Sequence, residues 1–495
     1  MILFFRRCPL ALFLPLQALL GFWHLGLMSP WMDEAGTLLT MHRTLGDSIR
    51  FAAQDVHPPL YYLLLWGWQR IPLGLHWEAQ ARALSVVFGL LATVALDRLW
   101  SRGLPERVRW GFLALWSLSP CLLLYSRMSR SYTLQVLVVA LAGAFLMRLA
   151  SAPTFAKGAL LTLALLAALY THYAAGLAVL FAANVILFGR REWGAALAVD
   201  VAVAAGYAPW IWHLATSLGS WVSHPAGYQL TGNQWLEIPL KFGYGVMSFT
   251  MGEAVPDVLL VCGIVVALVA MRLVTAGGRQ YPQTAGFAAL VGIAGFIAVV
   301  RWVSYPFVPA RLLFVLPFLL LLIAAGAGVH RRSGNFVLAA MLVLSATGAW
   351  CYFARVSFRN KDYPMPMREI AEYIRQNSTA ENSVILVDST NSDPPALEYA
   401  LGGERPFLET GSQDSEKTLA TRLADHRIHT VWFLHNTHDV SAGGLNARFE
   451  SRLGAAMRPT IFYYQPYTLL ERALMSVMGL PDAPWYFHEL VEYRR

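Results

Sequence analysis

Apolar stretches recur along the first 354 residues, and they constrain the fold more than any other feature of this sequence. They fall at about 8–28, 58–75, 79–99, 110–125, 133–150, 157–171, 174–189, 194–214, 256–274, 284–303, 310–328 and 335–354. A helix of about 20 apolar residues crosses the hydrocarbon core of a bilayer. Only 14% of the 495 residues are charged, compared with about 25% in ordinary soluble domains. The sequence therefore predicts a polytopic α-helical membrane protein.

The positions of the basic residues indicate the topology. The net charge is +8, but Lys and Arg occur in short clusters between apolar stretches and not along one face, so we expect no nucleic-acid partner. The clusters are Arg98/Arg102/Arg107/Arg109, Arg148/Lys157, Arg190/Arg191, Arg272/Arg279 and Arg331/Arg332. Cytoplasmic loops carry an excess of such residues. Every cluster is cytoplasmic if the N-terminus is inside and 58–75 re-enters or lies at the interface. We therefore expect about eleven transmembrane helices and an outer C-terminus.

The first outer loop, at about 29–78, contains a helical pattern. Leu38, Met41, Leu45 and Ile49 recur at the spacing of one helix face. This pattern predicts an amphipathic helix, which either lies on the membrane surface or packs on the protein's own bundle.

The composition changes after Tyr352, where charged and polar residues become frequent. Helix-like segments at 365–375 and 416–424 alternate with strand-like runs at 383–387, 430–434 and 460–464. The sequence thus predicts two domains: a membrane domain at 1–354 and a small soluble α/β domain at 355–495, outside the membrane.

Carboxylates and a histidine in the first outer loop are candidates for chemistry. Asp33 and Glu34 follow the first apolar stretch, and Asp55 and His57 precede Pro58 and Pro59. Ionisable groups are costly to hold near lipid, so they tend to be functional. Asp33 is a candidate base that takes a proton from an acceptor hydroxyl, and the alternative is a helix N-cap. Glu34 supports Asp33, while Asp55 is a second acid, a metal ligand or part of a polar turn.

Cations and hydrogen-bond donors are predicted on the same outer side. Arginine on the outer side opposes the positive-inside trend, so a local interaction is needed to explain its presence there. A lipid-linked phosphate supplies one, because guanidinium groups bind phosphate through charge-assisted hydrogen bonds; a side chain that extends to headgroups is the alternative. The candidate substrate-binding residues are His57, Arg127, Arg130, Tyr132, His172, Lys241 and Arg311. For His172, a hydrogen bond between helices is an equally open alternative.

These residues together resemble the GT-C superfamily of membrane glycosyltransferases, and specifically the bacterial branch similar to protein O-mannosyltransferases and lipid A aminoarabinose transferases. The matching elements are Trp31-Met32-Asp33-Glu34, Asp55-Val56-His57-Pro58-Pro59-Leu60-Tyr61-Tyr62, Tyr125-Ser126-Arg127 with Tyr132, Tyr170-Thr171-His172-Tyr173, and Pro309-Ala310-Arg311-Leu312-Leu313. They cover about 1–330, and the C-terminal segment looks like the periplasmic domain of bacterial relatives.

The resemblance implies a multi-pass enzyme of the bacterial inner membrane whose active site and C-terminal domain face the periplasm. It implies transfer of a hexose or pentose from a polyprenyl-phosphate donor to a hydroxyl of a protein, lipid A or a cell-surface glycan, with inversion. Asp33 would be the essential carboxylate, and Asp55 and His57 would line the cleft. Membrane lipids are the remaining expected partners.

Two alternatives stay open from the sequence. The first is a transporter or flippase of lipid-linked sugars, in which the same charged residues would line a path; such proteins place charges at mid-membrane depth and often contain inverted repeats. The second is a divalent cation bound by the Asp, Glu and His residues. The spacing of these residues specifies no metal site, so no metal ligand or cofactor is assigned.

Overall fold

The chain folds into two compact units in the computed structural model. The membrane unit comprises Met1–Leu25 and Thr40–Ser357, and the C-terminal unit comprises Gly26–Leu39 and Phe358–Arg495. The structure describes residues 8–40, 44–54, 57–221, 234–302, 308–387, 393–410, 413–436, 456–477 and 485–494. Asp55, one of the predicted catalytic residues, lies outside the described residues.

Helices make up the described part of the membrane unit. They are α1 (Leu10–Phe22), α3 (Leu45–Gln54), α4 (Leu60–Trp68), α5 (Trp77–Leu96), α6 (Glu106–Ser117), α7 (Pro120–Ser126), α8 (Tyr132–Ser151), α9 (Phe155–Thr171), α10 (Tyr173–Gly189), α11 (Trp193–Trp221), α12 (Gln234–Met251), α13 (Asp257–Gln280), α14 (Pro282–Trp302), α15 (Leu316–Val329) and α16 (Arg331–Ala354). Helix α2 (Met32–Thr40) begins within the C-terminal unit. A π-helical turn (Asp97–Ser101) follows α5, and a 3-10 helix (Pro309–Val315) precedes α15.

The protein is a multi-pass membrane protein. Within the described residues, seven helices are long and apolar enough to cross a membrane, and the pair α6 and α7, bent by 47°, makes eight if it is one broken span. The helices α1, α9 and α10 are apolar but shorter. The eight candidate spans and these three shorter helices together equal the predicted number of about eleven crossings. The number of crossings itself stays a prediction. Helix α4 has nine residues and is about 14 Å long, too short to cross about 30 Å of hydrocarbon. Its length supports the expectation that 58–75 does not cross.

Close glycine contacts hold α13 and α15 together. A Cβ atom at Gly277 would lie 2.1 Å from the carbonyl oxygen of Leu322, and one at Gly326 would lie 2.0 Å from that of Leu273. Backbones can approach so closely only where no side chain intervenes. Lipid provides little hydrophobic driving force between helices, so such small-residue contacts carry much of their packing.

The apolar pattern that predicts amphipathic structure in the first outer loop is divided between two helices. Leu38 lies in α2, whereas Leu45 and Ile49 lie in α3, and Met41 is outside the described residues. Helical spacing alone did not reveal the break. Leu38 is fully buried while Leu45 is 39% exposed, so the pattern does not form one continuous apolar face.

The C-terminal unit contains a five-stranded mixed sheet with the order β2-β1-β3-β5-β4. The strands are β1 (Ser383–Val387), β2 (Phe407–Glu409), β3 (Thr430–Asn436), β4 (Ala456–Pro466) and β5 (Trp485–Arg494). Strand β1 is parallel to β2 and β3, and β5 is antiparallel to β3 and β4. The helices are α17 (Met367–Asn377), α18 (Asp393–Leu401), α19 (Gln413–Ala424) and α20 (Leu469–Val477). The predicted α/β class is confirmed.

Residues 26–39 depart from the predicted domain boundary. The sequence assigned them to a membrane domain that ends at 354, but they form one unit with Phe358–Arg495. Ala35 of α2 is fully buried in an apolar core with residues of α17, including Ile370 and Ala371. The first outer loop is therefore divided between the two units.

Candidate active site

Asp33 and Glu34 occupy the first turn of α2. The positive end of the helix dipole favours carboxylates at this position. Since the helix begins at Met32, Asp33 lies inside it, and the alternative that Asp33 is the N-cap does not hold. Asp33 is half-buried, whereas Glu34 is 1% exposed. The accessible carboxylate is thus Asp33, and Glu34 is a buried neighbour.

His57 and Arg130 form a direct contact in the membrane unit. The Nη2 of Arg130 lies 2.8 Å from the Nε2 of His57, and its Nη1 lies 3.5 Å from the Tyr62 hydroxyl. Because guanidinium groups only donate, the Nε2 of His57 accepts this hydrogen bond. The Arg130 carbonyl accepts a hydrogen bond from the Ser85 hydroxyl at 3.1 Å. Arg130 is buried, and these contacts fix its position.

His172 lies between α9 and α10 and caps the second of these helices. Its Nδ1 accepts a hydrogen bond from the Ala175 backbone N–H at 3.3 Å. This local bond is the role that the structure describes, rather than the bond between helices that the sequence left open. Desolvation lowers the pKa of His172, and the charges of Arg311, His57 and Arg130 lower it further. A neutral imidazole whose Nδ1 accepts carries its proton on Nε2, which leaves that atom as a donor.

Arg311 provides a buried donor near His172. It lies in the 3-10 helix, where Gln135 of α8 donates a hydrogen bond to the carbonyl of Ala310. The Nη1 atom of Arg311 is buried and has no hydrogen-bond partner among the described residues. A buried donor without an acceptor is costly and calls for an explanation. We call His57, Arg130, His172 and Arg311 the cationic cluster.

Arg127 has a different environment from the one that the sequence predicted. Its Nη1 donates to the carbonyls of Leu20, Gly21 and Trp23, and its Nη2 donates to that of His24, over 2.6–2.9 Å. Its Nε donates to the Tyr352 hydroxyl at 3.0 Å. These carbonyls stand at the C-terminal end of α1, where they lack helical partners. These contacts give Arg127 a capping role at the end of α1.

Tyr132 and Lys241 are both buried. The Tyr132 ring packs edge-to-face on that of Tyr125, with 5.4 Å between centroids. Lys241 is 7% exposed on α12 and shares a helix face with Tyr244 and Ser248, three and seven residues further on.

Glu253 contacts residues that neighbour Tyr132 and Lys241. It was not among the site residues predicted from the sequence. It is 1% exposed and lies between α12 and α13. It accepts hydrogen bonds from the hydroxyls of Tyr125, of Tyr244 at 2.6 Å and of Ser248 at 3.2 Å. Burial raises the pKa of Glu253 to about 7, although the hydroxyl donors lower it. This carboxyl group ties α7 to α12.

A metal site is not evident in the described part of the chain. No group of three or more His, Cys, Asp or Glu residues there is arranged to hold a metal ion. Asp55 and Val56 are not described, so this finding does not extend to the whole first outer loop.

The chain is similar to known proteins in structure. No protein-family model matches the sequence, and no curated protein matches it significantly. A crystal structure of apo ArnT, the lipid A aminoarabinose transferase from Cupriavidus metallidurans, is similar, with a TM-score of 0.58, 14% identity and 97% coverage of both chains. The chain has an ArnT-like fold. The structure of ArnT bound to undecaprenyl phosphate matches with a TM-score of 0.55, at the same identity and coverage.

The ArnT likeness confirms the fold that the sequence resemblance predicted. It extends over 97% of this chain and therefore includes residues of both units. At 14% identity, ArnT establishes the architecture but not the role of any residue. Those roles depend on the contacts described above.

Proposed function

We propose that the protein is a membrane glycosyltransferase that uses a polyprenyl-phosphate-linked sugar. The observation that carries this proposal is the cationic cluster, in which a guanidinium nitrogen of Arg311 is buried with no hydrogen-bond partner among the described residues. A phosphate supplies the acceptor that such a nitrogen lacks. The ArnT-like fold supports the same ligand class, because one of the similar structures is ArnT bound to undecaprenyl phosphate.

The donor phosphate would bind to the cationic cluster. Arg130 and Arg311 supply charge-assisted hydrogen bonds, and the Nε2–H of His172 supplies a neutral donor. The phosphate is also the leaving group of the reaction, so its negative charge grows as the bond to the sugar breaks. Donors already fixed by protein contacts stabilise this charge without reorganisation. His57 orients Arg130 through their shared hydrogen bond.

Asp33 would act as the general base. The acceptor hydroxyl oxygen attacks the anomeric carbon, the bond from that carbon to the phosphate oxygen breaks, and Asp33 takes the hydroxyl proton. Polyprenyl phosphate leaves with the bonding electrons, and one direct displacement inverts the anomeric carbon. Asp33 suits this role because it is only half-buried, while Glu34 is buried beside it and cannot reach a substrate as easily.

The acceptor would be a hydroxyl of a protein, lipid A or a cell-surface glycan at the periplasmic face of a bacterial inner membrane. The sugar would be a hexose or a pentose. Asp55 remains a candidate second acid. Alternatively, a divalent cation held near Asp55 would help to stabilise the negative charge of the phosphate. Lys241 and Tyr132 would act further from the phosphate, through the residues around Glu253.

Binding of undecaprenyl phosphate to the purified full-length protein tests the donor site. Arg311→Ala should weaken binding by about tenfold or more, because a charge-assisted hydrogen bond contributes about 1.5–3 kcal/mol. The matched control is Arg190→Ala, an exposed arginine at the opposite end of α10 from His172. Equal affinity of wild type and Arg311→Ala would remove the main support for the proposal.

Mass analysis of the cell envelope tests the reaction. A deletion strain should lack one sugar on one protein, lipid or glycan, and the wild-type gene should restore it. A flippase would instead leave the transfer machinery intact, so membranes from the deletion strain would still transfer the sugar when the donor is supplied on the outer side. That result would favour the transporter alternative.

A further inference from the structure

We propose that the C-terminal unit positions Asp33 for catalysis and that Arg368 is its main positioning residue. This inference rests on the proposed function, because it assumes that Asp33 is the base. It concerns contacts inside the C-terminal unit, which includes residues 26–39.

Arg368 holds the backbone that leads into α2. Its Nη1 donates to the carbonyl of Gly26 at 3.0 Å, and its Nη2 donates to that of Met28 at 3.1 Å. Its backbone N–H donates to the Ser29 hydroxyl at 3.2 Å, and this hydroxyl donates to Glu369 at 3.4 Å. One residue at the start of α17 therefore contacts three positions just before Asp33.

Apolar contacts fix the chain on both sides of Asp33. Two residues before it, the Trp31 ring packs edge-to-face on that of Tyr363, with 5.2 Å between centroids and an angle of 89°. Two residues after it, Ala35 is fully buried in the core that contains Met365 and Ile370. Asp33 itself remains half-buried between these two anchors. The unit thus holds the backbone on both sides of Asp33, which is itself only half-buried.

This arrangement has a kinetic consequence. A base that is misplaced by about 1 Å can lose about 100-fold in rate, because the reacting atoms are no longer aligned. Removing the Arg368 guanidinium removes its hydrogen bonds to the carbonyls of Gly26 and Met28, and the segment before α2 gains freedom to move. We expect transfer to slow by about 10- to 100-fold while donor binding is unchanged, since the contacts described for Arg368 are made to residues 26–29 of its own unit.

The experiment compares Arg368→Ala with Arg375→Ala. Arg375 is on the same helix, and its guanidinium also donates to a backbone carbonyl, that of Ala400. Each variant is expressed in the deletion strain, and membrane vesicles are prepared from these cells. The transfer rate is the rate at which sugar is added to the acceptor that lacks this sugar in the deletion strain. Undecaprenyl phosphate binding and hydrogen–deuterium exchange of residues 26–39 are measured on each purified full-length variant.

The proposal predicts that Arg368→Ala slows transfer at least tenfold, accelerates exchange in residues 26–39 and binds undecaprenyl phosphate as wild type does. Arg375→Ala should resemble wild type in all three measurements, and Arg368→Lys should recover part of the rate. Wild-type transfer by Arg368→Ala would overturn the proposal, as would an equal loss in Arg375→Ala, which would indicate general destabilisation.

Asp33→Asn in the same vesicles separates this proposal from the proposed function. If Asp33→Asn transfers normally, the proposed function of Asp33 has failed, and the positioning role fails with it. If Asp33→Asn is inactive while Arg368→Ala is fully active, only the positioning role has failed.

Discussion

Arg130 donates a hydrogen bond from Nη2 to the Nε2 of His57 over 2.8 Å, and this contact joins the residues just before α4 to the segment between α7 and α8. We predict that Arg130→Ala raises the Kd for undecaprenyl phosphate by about tenfold or more, because it removes a cation and also releases His57. Titration of purified protein with the lipid measures this. Arg130→Lys should retain part of the affinity, and a Kd unchanged in both variants would refute a phosphate-binding role for Arg130.

His172 should act as a neutral donor. Its pKa is lowered by desolvation and by nearby basic residues, so the imidazole stays uncharged throughout the pH range in which histidine ordinarily titrates. We predict that His172→Asn weakens undecaprenyl phosphate binding by the same factor at every pH between about 5.5 and 8, where an ordinary histidine would titrate. Affinity measured across this range is the test. A difference that grows as the pH falls would mean that His172 is protonated in the site.

Arg127 should contribute to stability and not to donor binding. Its guanidinium donates to four carbonyls at the end of α1 and to the Tyr352 hydroxyl. Arg127→Ala removes five hydrogen bonds to buried and part-buried acceptors, at an expected cost of about 3 kcal/mol. A lower Tm in detergent, with an unchanged Kd for undecaprenyl phosphate in the folded protein, is the expected outcome. Weaker lipid binding at an unchanged Tm would restore the sequence-based expectation.

Glu253 should make stability depend on pH. Burial raises its pKa from 4.5 to about 7, so the folded protein holds a proton that the unfolded chain releases at lower pH. Its contribution to stability is therefore complete below about pH 4.5 and is lost as the pH rises to about 7, with an upper bound of about 3 kcal/mol.

Glu253→Gln tests this pH dependence, because glutamine keeps the shape but does not titrate. The Tm of wild type should fall more steeply between pH 5 and pH 7.5 than the Tm of Glu253→Gln. An equal fall in Tm in wild type and in Glu253→Gln would assign the pH dependence to other groups. Glu106→Gln, at an exposed position in the first turn of α6, is a suitable control.

The membrane architecture could be predicted from the sequence because lipid imposes strict rules. Apolar helices must satisfy their backbone hydrogen bonds internally, so their positions are visible as long apolar runs. The stretch at 58–75 was the weakest apolar run because of its prolines and polar residues, and the distribution of basic clusters indicated that it does not cross. Helix α4 is too short to cross. The cationic cluster was also predictable in part, since His57, Arg130, His172 and Arg311 each stood at the end of an apolar run.

Long-range partners could not be predicted. Arg127 was expected to bind phosphate, yet its carbonyl partners at residues 20–24 lie more than 100 positions away in sequence. Backbone carbonyls carry no sequence signal, so no pattern could have identified them. The same limit applies to Arg368, which contacts the chain before Asp33 across 340 residues. Glu253 gave a weak signal as an acid between two apolar runs, but its three hydroxyl partners come from two separate helices.

The most direct test of this account is the transfer activity of Asp33→Asn in vesicles from the deletion strain. The account predicts that this variant restores no sugar to the acceptor, although it folds with the wild-type Tm and binds undecaprenyl phosphate with the wild-type Kd. Glu34→Gln, at the buried neighbour, should retain measurable transfer wherever it folds. Transfer by Asp33→Asn at a rate near that of wild type would contradict the assignment of Asp33 as the base.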